Sequence, residues 1–84
     1  MEFVVAKRRF DLDPRDIPRR LEGVEPELIR TYAVRIKGKL YPCKQVLSVL
    51  TGLPKASFDA HQAYRILERM GLEVVVVKGR TRQR

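Results

Sequence analysis

The sequence has one cysteine, one histidine and no tryptophan. A lone Cys43 cannot close an internal disulfide, which points to a reducing compartment. Cys43 and His61 fall short of a zinc ligand set, and of the base with its orienting group that nucleophilic catalysis requires. Beside Lys44 and near a helix start, Cys43 is expected to have a lowered pKa, although such a small residue more often simply packs. No Cys-x-x-Cys, His-Glu-x-x-His, Gly-x-Gly-x-x-Gly or P-loop pattern occurs. Asp11, Asp13 and Asp16 lie close in sequence but fit helix capping and a polar face better than a magnesium site. The reading is a binding module and not an enzyme, with no metal and no cofactor.

Long apolar runs are also missing. None is longer than Val74 to Val77, far short of a membrane span, and no secretory h-region is present. A cytoplasmic protein without a membrane partner is expected.

Acidic residues are the third deficit: ten against eighteen Lys and Arg, for a net charge of +8. Arg outnumbers Lys by twelve to six, and the planar Arg fork suits phosphate and guanine edges better than a point charge. The excess is localised. Lys7, Arg8 and Arg9 form one cluster, and Lys78, Arg80, Arg82 and Arg84 form an acid-free tail. Without those seven the body holds eleven bases and ten acids. A basic protein so arranged is expected to bind a polyanion.

Eighty-four residues make a single domain with a thin core. Residues 1–77 read as one compact α+β domain and 78–84 as a basic flexible tail. Phe3 to Ala6 is a short strand. Asp13-Pro14 starts a short helix that ends at Gly23. Thr31 to Lys37 alternates as a half-buried strand, Lys37-Gly38-Lys39 reverses it, and Leu40-Tyr41 begins the return. Pro42 opens a helix closed by Gly52. Ser57 is the expected N-cap of the next helix, which runs to Met70 with Ala60, Ala63, Leu67 and Met70 as its apolar stripe. Leu72 to Lys78 is read as a strand buried on both faces. The order β-α-β-β-α-α-β matches a small winged helix-turn-helix in outline.

That outline nominates contacts. With the stripe inward, Gln62, Arg65 and Arg69 project from the 57–70 helix, Gln toward adenine edges and Arg toward guanine edges. Ser57 and His61 lie near its start. The bland alternative is a solvated face, with Arg65 and Arg69 paired to Glu68 or Asp59. Arg35, Lys37, Lys39, Tyr41 and Lys44 make the densest mixture of cations with an aromatic. Lys7, Arg8, Arg9, Lys78 and Arg80 complete the phosphate-binding candidates.

The pattern Gly38-Lys39-x-Tyr41-Pro42-x-Lys44-x-Val46, then Thr51-Gly52, Phe58, Ala63, Leu67 and Gly71-Leu72-x-Val74, resembles small DNA-binding domains associated with restriction of modified DNA. Such domains occur as stand-alone actinobacterial proteins and beside HNH-type nucleases. A more distant similarity links Tyr41-Pro42 to the sulfur-binding domain that recognises phosphorothioated DNA, with Gln45 standing where that pattern has Ala. The resemblance implies double-stranded DNA as ligand, selected for a modification such as 5-methylcytosine. Tyr41, Tyr64 or Phe58 would then supply the apolar contact to the methyl group. Two rivals remain. One is an RNA-binding or ribosome-associated protein. The other is a protein-interaction module that homodimerises through an exposed Val-rich edge at Leu72 to Val77.

Overall fold

A computed structural model describes residues 1–77. Lys78, Arg80 and the rest of the expected tail lie outside the described residues. The chain is α+β, as expected, with one strand more than the sequence suggests. β1 (Glu2–Val5) is followed by β2 (Arg8–Asp11), a 3-10 turn at Pro14–Asp16 and the short α1 (Ile17–Arg20). Then come β3 (Tyr32–Ile36), β4 (Lys39–Pro42), α2 (Cys43–Thr51), a 3-10 turn at Lys55–Ser57, α3 (Ala60–Arg69) and β5 (Glu73–Val76).

β1 and β2 form an antiparallel hairpin of their own, and the second sheet has the order β4-β3-β5. In β3, Val34 and Ile36 are buried beneath the helices while Arg35 points to the other face. The β3–β4 reversal puts Lys37 at φ 51° and Gly38 at φ 80°. Two left-handed residues make the turn whose twist matches a hairpin, and glycine makes the second of them easy. The β1–β2 turn repeats this backbone without any glycine: Ala6 has φ 53° and Lys7 φ 65°.

Three local expectations need correction. Ser57 ends the 3-10 turn and does not cap α3; Asp59 does, its carboxylate accepting from the Gln62 N–H at 2.7 Å. Two residues nearer the helix, Asp59 reaches the free N–H groups of the first turn directly. The buried stripe of α3 is Ala63, Ile66, Leu67 and Met70, with Ala60 only half-buried. β5 is not buried on both faces. It lies at the sheet edge, bonded to β3 alone, with Val76 51% exposed. An apolar run can fill an edge strand as readily as a central one.

One core joins the hairpin, α1, the sheet and both long helices: Val5, Ile17, Val34, Val46, Leu47 and Leu67 are sealed from solvent. No helix among the described residues is long and apolar enough to cross a membrane.

Candidate nucleic-acid interface

α3 is the element that most clearly presents chemistry outward. Its stripe buries one side, and the opposite side holds His61, Gln62, Arg65 and Arg69. These four, with Asp59 and Ile66, line an open groove of about 550 Å³, whose other wall is Glu2, Phe3 and Val4 of β1. Neither Arg65 nor Arg69 forms an ion pair among the described residues; the pairs found are elsewhere. Asp59 is occupied by capping, and Glu68 lies against the Tyr64 hydroxyl at 3.5 Å, raising that phenol's pKa. The alternative in which Glu68 and Asp59 neutralise the helix arginines is therefore not the arrangement adopted.

The basic cluster joins this wall. Lys7 occupies the tip of the hairpin and Arg8 and Arg9 begin β2, all exposed and without an ion pair among the described residues. Arg9 pairs across the hairpin with Val4, a groove residue. The sequence does not announce this neighbourhood, because it depends on β2 folding back on β1.

The remaining candidates are dispersed. Arg35 pairs with Glu73 at 3.4 Å on the sheet face away from the helices. Lys37 and Lys39 border a separate cavity beside Glu22 and Glu25. Lys44 borders a third, with Arg30, Tyr32 and the ion-paired Lys55 and Glu27.

Tyr41 is not a surface contact. It is 4% exposed, and its hydroxyl donates to the Val24 carbonyl at 3.2 Å. Phe58 is also buried in the core. Of the aromatics nominated to contact a base methyl, only Tyr64 is accessible, and it stacks on Tyr32 with centroids 4.7 Å apart beside His61. Apart from Lys39 and Lys44, the Gly38 to Val46 pattern has a structural reading. Gly38 makes the hairpin turn, Pro42 precedes the first turn of α2, and Val46 fills the core. Cys43 is also corrected: burial pushes its thiol up to about 12, overriding the helix start and Lys44.

A single site thus emerges, one helix face and one hairpin carrying exposed cations at an open groove. Among the described residues no group of three His, Cys, Asp or Glu is placed to hold a metal. This is a small α+β domain with a basic helix-and-hairpin surface. The chain belongs to the SCO5918-like family, whose model matches residues 1–84. No curated protein and no solved structure matches it.

Proposed function

We propose that this protein binds double-stranded DNA, laying the outer face of α3 in the major groove. The observation that carries the reading is the α3 face itself, where Gln62, Arg65 and Arg69 stand together on an open groove with no acid bonded to either arginine. The Gln62 and Arg65 side chains match the edges of adenine and guanine, and a helix fits the width of the major groove. Lys7, Arg8 and Arg9 next to that groove add phosphate attraction. The net charge of +8 favours encounter with any polyanion.

Selectivity for 5-methylcytosine is the finer form of the proposal, with Tyr64 as the accessible aromatic. The test is a fluorescence-anisotropy panel of unmodified, 5-methylcytosine and phosphorothioate duplexes, with a structured RNA as competitor. Duplex binding should weaken by several decades between about 50 and 200 mM salt. RNA that outcompetes every duplex, or affinity indifferent to salt, would overturn the reading.

A further inference from the structure

The β1–β2 hairpin turns one face toward the core, and Phe3, Val5, Arg8 and Phe10 share it. Phe3 pairs with Phe10 and Val5 with Arg8, and residues two apart on a strand point the same way. Two guanidinium groups lie over its rings. Arg69, from the last turn of α3, sits 5.4 Å from the Phe3 centroid, and Arg8 sits 5.9 Å from the Phe10 centroid. Because Phe3 and Phe10 are direct cross-strand partners, these arginines approach neighbouring rings from two different elements. Neither makes an ion pair among the described residues. Glu2 and Asp11, the carboxylates of the two strands, are cross-strand neighbours, and Glu2 lines the same groove as Arg69 without forming an ion pair with it.

A guanidinium held over a ring by cation–π attraction keeps N–H donors available for a ligand. A phosphodiester has two non-bridging oxygens, and Arg binds such groups through forked, charge-assisted hydrogen bonds. The rings restrict both side chains before any ligand arrives, which lowers the entropic cost of ordering them.

We propose that Arg8 and Arg69 form a two-arginine clamp on a single backbone phosphate of duplex DNA. The inference rests on the duplex reading above and adds the group that fixes the register of α3 on the backbone. Phosphate contacts of this kind orient a protein without reading sequence.

The test is an anisotropy titration of the full chain with a labelled duplex across a salt series, using Arg8→Gln, Arg69→Gln, the double variant and Arg65→Ala. Each single Gln variant should weaken binding to all duplexes alike, roughly 10-fold, and lower the salt slope by about 1. The double variant should be scarcely worse than either single, because both forks grip one phosphate. Arg8→Lys with Arg69→Lys should restore the salt slope but not the affinity, since an ammonium cannot reproduce the fork. Losses that multiply in the double variant would place the arginines on separate phosphates and overturn the clamp. Unchanged affinity in both singles, with Arg65→Ala altering sequence preference, would overturn the clamp and leave the duplex reading standing. A wild-type chain that binds no duplex would overturn both.

Discussion

Gln45 and Glu27 are joined across eighteen residues of sequence: the side-chain Oε1 of Gln45 accepts from the Glu27 backbone N–H at 2.9 Å. At its other end the same amide donates from Nε2 to the Glu25 carbonyl at 2.9 Å. Gln45 is the one buried polar side chain among the described residues, and it ties the long connection between α1 and β3 to α2. Gln45→Leu removes both bonds and strands a partly buried N–H and C=O. It should cost about 2 to 4 kcal/mol in chemical denaturation. A loss below about 0.5 kcal/mol would mean that water satisfies both groups.

Tyr41 fastens the same connection through a single bond to Val24. Tyr41→Phe keeps the packed ring and gives up only the hydroxyl. It should destabilise by about 1 kcal/mol and leave duplex affinity unchanged. Reduced DNA binding by a variant that melts like wild type would return Tyr41 to the interface.

These two residues show where sequence reading stops. β3 and its turn are legible because Tyr32, Val34 and Ile36 alternate with smaller or charged residues and Lys37-Gly38 is a hairpin dipeptide. The outer face of α3 is legible from its period, even though Ile66 completes the inner stripe in place of Ala60. β2 is not legible, because Arg8-Arg9-Phe10-Asp11 has too little apolar alternation and Ala6-Lys7 is not a usual turn pair. Pairing with β1 creates that strand, and with it the second wall of the candidate groove. Tyr41 and Gln45 likewise look exposed or anomalous until the 22–31 connection supplies their partners.

The turn at Ala6 is open to direct measurement. Its φ of 53° lies in the left-handed region, where an L side chain crowds its own backbone. Ala6→Gly relieves that crowding but gives the unfolded chain more freedom. The net expectation is a gain of about 0.5 to 1 kcal/mol by equilibrium unfolding, with DNA affinity retained because no charge is altered. A destabilised variant would show that the Ala6 methyl makes contacts worth more than the strain.

Cys43 should behave as a core residue. It is 1% exposed, and burial raises its pKa to about 12. The native thiol should resist alkylation at about pH 8 and react once the chain is unfolded. The linkage sign follows from the same shift. Above the ordinary thiol value near 9 the unfolded chain loses this proton while the folded chain keeps it. This contribution to stability therefore falls as pH rises from about 9 toward 12. Cys43→Ala should flatten that part of the stability profile. Rapid alkylation of the folded protein would indicate that α2 opens readily at its first turn.

On the proposed duplex reading, Arg65 is the residue that separates base reading from phosphate gripping. It is exposed on the middle of α3, lines the groove with Gln62, and is bonded to no acid among the described residues. It lies over neither hairpin ring, in contrast to Arg69. If its fork meets a guanine edge, Arg65→Ala should lose about 1 to 3 kcal/mol on the preferred duplex and much less on others. Selection from a randomised duplex pool before and after the substitution checks this, with relaxed preference expected at one position. A loss uniform across all sequences, with the salt slope lowered by about 1, would assign Arg65 to phosphate and transfer base reading to Gln62.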